Sequence, residues 1–133
     1  MKKIALLMIA KGTSKRLKNK NKKIYKGEQM FLWNLKKGLS ITKNFYFNSD
    51  DNEMIVISKK LGLKTIKRDK KLQGAEIPSR LIFDSCLKKM PKNIDGILHI
   101  QANSPNIDIN LIKCALKMMQ FDEIQELLTC DKN

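Results

Sequence analysis

The sequence is poor in arginine, histidine and aromatic residues, and it has no long apolar run. Arginine supplies 3 of the 27 basic residues, there is one histidine, and aromatic side chains make up 6% of the 133 residues. No run approaches the ~20 apolar residues that a membrane-spanning helix needs, which argues against a membrane protein. At 42% hydrophobic residues the chain can still build a core, so wholesale disorder is excluded.

Cysteine is scarce as well. Cys86, Cys114 and Cys130 are far apart and lie among apolar residues, so the sequence predicts buried, inert thiols and neither a disulfide framework nor a metal-ligand cluster. The apolar run 4–10 follows two lysines, as in a secretory signal, but it is short and no small-residue cleavage site follows it. We therefore predict a cytoplasmic protein whose first apolar run is a buried strand.

Lysine is abundant, and its position is more informative than its total. The net charge is +14, and residues 1–27 contain ten basic residues and no acidic one. This segment should carry a positive potential suited to phosphate groups. The total charge is weaker evidence, because isoleucine and asparagine are also abundant and A/T-rich coding DNA produces all three residue types.

Strand and helix patterns alternate along the chain. Strands are predicted over 3–10, 45–48, 63–66, 96–100 and 126–130, and a polar loop over 11–27. Helices are predicted over 29–39, from a cap at Asp50 to 61, from Pro78 to 90, and from a cap at Asp108 to 119. This alternation predicts an α/β fold, a Rossmann-like doubly wound, mostly parallel sheet with helices on both faces.

Ligands of such sheets bind beyond the carboxyl ends of the strands, so the loops of interest are 11–23, 48–51, 68–79 and 101–106. The first of these loops lacks both the Walker pattern and the G-x-G-x-x-G fingerprint, which excludes a P-loop ATPase and a classical dinucleotide-binding protein. It does place Gly12 after a strand, beside lysines that suit a triphosphate. From the residues alone, a phosphate-binding loop and a merely solvated lysine-rich loop both stay open.

Three motifs occur in order along the chain. The segment 3–21 ends in the pattern A-K-x-x-S-K-x-L-x-x-K-N, the residues N-S-D-D occupy 48–51, and I-Q-A-N-S-P occupies 100–105. Arg68 and Leu72 stand between the second and third motifs. Together these features resemble the acylneuraminate cytidylyltransferase family, which includes CMP-sialic acid synthetases and is related to CMP-Kdo synthetases.

The resemblance implies a cytidylyltransferase that transfers CMP from CTP to an acidic, nonulosonic-type sugar and releases pyrophosphate. It implies Mg²⁺ as a cofactor without identifying the metal ligands, and it allows a homodimer. Catalytic roles are implied for Lys11 and Lys20. The nucleotide-binding residues implied are Gly12, Ser14, Lys15, Asn21, Arg68 and Ser79, and the sugar-binding residues are Gln101 and Asn103.

The chain also departs from the family pattern. Lys11 stands in place of an arginine, Lys18 in place of a proline, and Ala102 with Asn103 in place of a Pro-Thr pair. Family members continue well beyond residue 133, so we expect 1–133 to be a single nucleotidyltransferase-like domain that is incomplete at its C-terminus.

Two alternatives stay open. One is a non-catalytic basic domain that binds a nucleotide or nucleic acid, and the other is a nucleotidyltransferase of the same fold that uses another NTP. The residues argue against nucleic acid, because the lysines concentrate in one loop without an exposed aromatic platform. Asp50 and Asp51 could hold Mg²⁺ or cap the next helix, whereas His99, inside an apolar strand, is expected to pack.

Overall fold

The computed structural model describes residues 1–12, 19–74 and 76–129. The strands are β1 (Ile4–Ala10), β2 (Ile24–Tyr25), β3 (Glu28–Gln29), β4 (Phe45–Ser49), β5 (Lys64–Lys67) and β6 (Gly96–His99). The helices are α1 (Met30–Ile41), α2 (Asn52–Lys60), α3 (Ser79–Lys89) and α4 (Ile109–Met118). Short 3-10 turns cover Lys20–Lys22 and Lys70–Leu72.

The main sheet is parallel, with the strand order β5-β4-β1-β6, and β2 and β3 form a separate antiparallel hairpin. The two central strands, β1 and β4, are almost entirely buried, and for β1 this burial follows from its continuous apolar sequence. One face of the sheet packs on residues of α1, α2 and α4, and the other packs on residues of α3. The predicted Rossmann-like, doubly wound fold is confirmed.

The strand order fixes where a ligand would bind. From β1 the chain proceeds through β4 to β5 on one side, and then crosses to β6 on the other side of β1. The direction in which the chain adds strands therefore diverges at β1, first toward β4 and β5 and afterwards toward β6. This divergence is the topological switch point at which open α/β sheets form their ligand crevice.

The structure differs from the sequence-based predictions in two elements. Part of the predicted loop 11–27 belongs to the β2–β3 hairpin, in which Ile24 pairs with Gln29. The predicted strand 126–130 is wrong over 126–129, which have no regular structure, and Cys130 lies outside the described residues. Leu128 is 79% exposed, so its side chain has no core to pack on.

The cysteine prediction holds for one residue and fails for another. Cys86 is fully buried on α3, and burial raises the pKa of its thiol to about 11. This thiol is therefore protonated at neutral pH and inert, as expected. Cys114 is exposed on α4, because the apolar stripe of this helix is formed by Ile112 and Ala115 instead.

The two edges of the main sheet carry different chemistry. Edge strand β5 reads Lys-Thr-Ile-Lys, whereas edge strand β6 reads Gly-Ile-Leu-His. His99 is the exposed last residue of β6, and its ring packs edge-to-face against Phe83 at a centroid distance of 4.8 Å, so the predicted packing takes place at the surface of the sheet.

Among the described residues, no helix is both long enough and apolar enough to cross a bilayer.

Candidate nucleotide site

The loop that follows β1 is closed on itself at the switch point. Asn21 donates a hydrogen bond from Nδ2 to the carbonyl oxygen of Lys11 at 2.8 Å, which joins the two ends of the segment 11–21. Lys11, Lys20 and Asn21 are half-buried, and Gly12 is buried. Four of the predicted site residues are thus brought together. Two others, Ser14 and Lys15, lie outside the described residues.

Two carboxylates after β4 hold this loop from the neighbouring strand. The Gly12 backbone N–H donates to Oδ1 of Asp50 at 2.8 Å, and Nζ of Lys22 lies 2.7 Å from Oδ2 of Asp51. Oδ1 of Asp51 also accepts from the Met54 N–H at 3.0 Å, so Asp51 is the N-cap of α2. The predicted cap at Asp50 is therefore wrong by one residue, because Asp50 is occupied by the Gly12 amide.

The ion pair between Lys22 and Asp51 stabilises the charged form of both side chains. Their side chains are only 18% and 14% exposed. The hydrogen bond to Asp51 raises the pKa of Lys22. Burial pushes the pKa of Asp51 up, but the hydrogen bonds from Lys22 and the Met54 amide outweigh this effect, and the pKa lies below its ordinary value.

Asp51→Asn is expected to remove part of the acid sensitivity of folding. Because the pKa of Asp51 is lowered in the folded state, its contribution is present above the ordinary aspartate value of about 3.9 and is lost as the pH falls through the folded pKa. Asparagine keeps the cap but loses the charge, so we expect a loss of about 1–2 kcal/mol at pH 7 and a smaller loss at pH 3. Urea unfolding at both pH values measures the difference.

Asp122→Asn is the matched control, because Asp122 is 95% exposed and pairs with Lys2 at 3.4 Å on the surface. We expect this change to leave the pH dependence of unfolding close to that of the wild type. Identical pH profiles for the Asp51 and Asp122 variants would contradict a stabilising role for the Lys22–Asp51 pair.

Arg68 directly follows β5 and is buried next to this loop, with 2% of its surface exposed. Its Nε donates to Oδ1 of Asn48 at 3.0 Å, and its Nη2 lies 3.5 Å from the carbonyl oxygen of Ala10. Burial lowers the pKa of Arg68 and the nearby charge of Asp50 opposes that shift. The guanidinium therefore ties together the carboxyl ends of β1, β4 and β5, and its predicted contact with a nucleoside stays a prediction.

A pocket of about 620 Å³ opens beside Arg68, at the carboxyl ends of β4 and β5. Its charged lining includes Asp50, Lys67, Asp69 and Lys89, and Lys89 is paired with Asp69 at 2.9 Å. The pocket extends toward the β5 edge of the sheet, away from β6. Ser79, the exposed first residue of α3, is not among the residues that line it.

The loop after β6 carries the predicted sugar-side residues Gln101 and Asn103, and both are exposed. It is held by residues of α1 that the sequence patterns did not single out. Nδ2 of Asn34 donates to the carbonyl oxygens of Gln101 and Ser104, both at 2.8 Å. Nζ of Lys37 donates to the carbonyl oxygens of Pro105 and Ile107, further along this loop.

The hairpin β2–β3 connects the two loops. The Tyr25 hydroxyl donates to Oδ1 of Asn106, beyond β6, at 2.9 Å. Nε1 of Trp33 donates to the carbonyl oxygen of Tyr25 at 2.7 Å, and the two rings meet edge-to-face. Glu28 of β3 forms an ion pair with Lys36, which lies on α1 like Trp33. Helix α1 therefore supports both sides of the crevice.

A ready-made cluster of metal-ligating side chains is absent from the part of the chain that the structure describes. This part contains no group of three or more side chains of the metal-ligating types His, Cys, Asp and Glu placed to hold a metal ion. Both oxygens of Asp51 are engaged, and one oxygen of Asp50 accepts from Gly12. Capping explains the role of Asp51, and the Mg²⁺ implied by the family resemblance stays a prediction without identified ligands.

The fold is shared with solved structures that include a synthetase and a cytidylyltransferase. A CMP:2-keto-3-deoxy-manno-octonic acid synthetase complexed with CTP superposes with a TM-score of 0.73 at 18% identity, over 90% of this chain and 48% of that one. A cytidylyltransferase from Leptospira borgpetersenii serovar Hardjo-bovis (strain JB197) has a TM-score of 0.72 at 18% identity, over 92% and 51%. A protein from Mycobacterium tuberculosis H37Rv has a TM-score of 0.70 at 14% identity, over 89% and 61%.

These likenesses establish the fold alone, since every identity is at or below 18%. The chain spans about half the length of the first two solved chains. No protein-family model matches the sequence, and no curated protein is significantly similar to it.

Proposed function

We propose that this chain is the nucleotide-binding part of a cytidylyltransferase, which transfers CMP from CTP to an acidic, nonulosonic-type sugar and releases pyrophosphate. The observation that carries the proposal is the closed, lysine-bearing loop after β1, which Asp50 and Asp51 fix at the switch point of the sheet. In this proposal residues 1–133 act as one nucleotidyltransferase-like domain. The shared fold with a synthetase complexed with CTP supports it.

The proposed reaction is an in-line substitution at the α-phosphorus of CTP. A sugar hydroxyl oxygen forms the new O–P bond, its proton passes to solvent or a nearby base, and the bond to the bridging oxygen breaks as pyrophosphate leaves with the electron pair. Lys11 and Lys20 would neutralise the charge that moves onto the phosphate oxygens, since such reactions depend mainly on positioning and charge stabilisation.

Gly12 and Asn21 have separate roles in this proposal. The Gly12 N–H is already bonded to Asp50, so it is not free to contact a phosphate. In this proposal the role of Gly12 is to let the loop lie close to α2. The Asn21 amide donates to Lys11, which fixes its orientation. Its Oδ1 would accept from the 4-amino group of cytosine, whereas uracil presents an oxygen at that position.

Lys20→Ala is expected to weaken CTP binding about ten- to hundredfold, because it removes a charge-assisted hydrogen bond to phosphate and little packing. Calorimetric titration with CTP, UTP, ATP and GTP, with and without Mg²⁺, measures the effect. Lys43→Ala is the matched control, since Lys43 is exposed and precedes β4, at the amino ends of the strands and not at their carboxyl ends. Unchanged CTP affinity in the Lys20 variant would contradict the loop assignment.

The same titrations separate the alternatives. Selective binding of CTP, together with loss of CTP-over-UTP preference in Asn21→Ala, would support a cytidylyltransferase. Selective binding of another nucleotide would indicate a nucleotidyltransferase of the same fold with a different NTP. Equal binding of all four nucleotides would leave only a basic phosphate-binding domain. A cytoplasmic location and a homodimer stay predictions from the sequence.

A further inference from the structure

Asn34 is a polar side chain at a position where the fold alone favours an apolar one. It is fully buried on α1, on the same stripe as Phe31, Leu35 and Gly38. An asparagine costs stability in a helix interior, and its buried amide costs more unless hydrogen bonds satisfy it. Both of its hydrogen bonds from Nδ2 go to the loop after β6.

Lys37 extends this anchor by one helical turn. Its Nζ lies 2.6 Å from the carbonyl oxygen of Pro105, 2.8 Å from that of Ile107 and 3.4 Å from Oδ1 of Asn34. Burial lowers the pKa of Lys37, so the inward position of the ammonium group is itself unfavourable. The hydrogen bonds to the Pro105 and Ile107 carbonyls compensate for the cost of burying the ammonium group. The lysine can therefore hold this position only while the loop keeps its conformation.

The two side chains together take four backbone carbonyls from the segment 101–107. The backbone of this segment is therefore turned toward α1. The side chains of Gln101 and Asn103 are exposed, beyond the strand that flanks the switch point. Interior hydrogen bonds to the backbone thus help to set the position of these two exposed side chains.

We infer that Asn34 and Lys37 are positioning residues for the sugar side of the site: they hold the loop 101–107 so that Gln101 and Asn103 meet an acidic sugar. The inference rests on the proposed cytidylyl transfer. Neither residue touches the substrate, and both act through the backbone of this loop. Their loss should raise KM for the sugar while leaving CTP binding intact, because the loop after β1 is held by Asp50 and Asp51 instead.

The test compares Lys37→Met with wild type by pyrophosphate release, using CTP and either 2-keto-3-deoxy-manno-octonic acid or N-acetylneuraminic acid. Methionine keeps the length and packing of the lysine stem and removes its donors. We expect KM for the acid to rise at least tenfold and Kd for CTP, measured by calorimetry, to stay within twofold. Lys37→Arg, which keeps the donors, should restore most of the sugar affinity.

Lys36→Met is the matched control, because Lys36 is the exposed neighbour on the same helix and does not bond to the loop. We expect its KM for the acid to match wild type. Equal KM values for the Lys37→Met and wild-type chains would overturn the inference, and so would wild-type chain that binds CTP but releases pyrophosphate with neither acid. Absence of CTP binding in wild type would instead overturn the proposed function itself.

Hydrogen exchange provides a second readout that does not need turnover. In Lys37→Met, the amides of 101–107 should exchange faster while those of β1 stay protected, since only the loop loses its anchor. Unchanged exchange over 101–107 would overturn the positioning role. Faster exchange across β1 as well would mean a general loss of stability, and would also count against it.

Discussion

Gly12→Ala is expected to lower the free energy of unfolding by about 1–3 kcal/mol and to weaken CTP binding at least about tenfold. A Cβ atom on Gly12 would lie 2.6 Å from Cβ and 2.9 Å from Cγ of Asp51. Rotation of the Asp51 side chain cannot relieve the first contact, because a Cβ atom is fixed by the backbone. The variant must therefore displace either the loop or the N-terminus of α2.

Urea unfolding and calorimetric titration with CTP measure the two effects. Asp51→Gly supplies a double-mutant cycle, because it removes the side-chain atoms that the added methyl group would meet. We expect Gly12→Ala to cost clearly less stability in the Asp51→Gly background than in the wild type. Additive losses would show that the clash with Asp51 is not the cause.

Gly38→Ala is expected to destabilise the chain by about 1–2 kcal/mol, although alanine is the better helix former by about 1 kcal/mol. A Cβ atom here would lie 2.7 Å from Cδ1 of Phe45 and 3.0 Å from Cδ1 of Leu6. Both neighbours are fully buried between α1 and the sheet, so the cost of overpacking should exceed the gain in helix propensity.

Thermal and urea unfolding test this result. Ser40→Ala, on the exposed face of the same helix, gains helix propensity without meeting the core and should change stability by less than about 0.5 kcal/mol. In a Phe45→Leu background, the penalty of Gly38→Ala should largely disappear. A Gly38 variant that is more stable than wild type would contradict close packing at this position.

The sequence predicts the main elements well because they rest on long, strongly patterned segments. The apolar run that forms β1 and the helical stripes of α1 to α4 leave little choice of structure. The sequence does not predict the β2–β3 hairpin, because its strands, Ile24–Tyr25 and Glu28–Gln29, are too short to show alternation. The strand prediction is wrong over 126–129 because a short apolar run predicts a strand without showing whether a core faces it.

The sequence picks out candidate ligand-binding residues more readily than the residues that hold them in place. Motif resemblance picked out Lys20 and Asn21, yet nothing in the spacing separates the role of Asp50 from that of Asp51. A signal for Asn34 did exist. The helical period places it on the buried stripe of α1, where an uncompensated amide would be unfavourable, and this placement indicates a hydrogen-bonded partner.

The contrast between the sheet edges has a consequence for how this fold can grow. Lysines on β5 discourage any extended segment from aligning there, because their charge and hydration oppose close pairing. The β6 residues Gly96–His99 include no lysine, arginine or acidic residue. Addition of a further strand, whatever chain supplies it, is thus favoured in one direction only, from β6 outward, and the +14 net charge of the chain works against two copies meeting there.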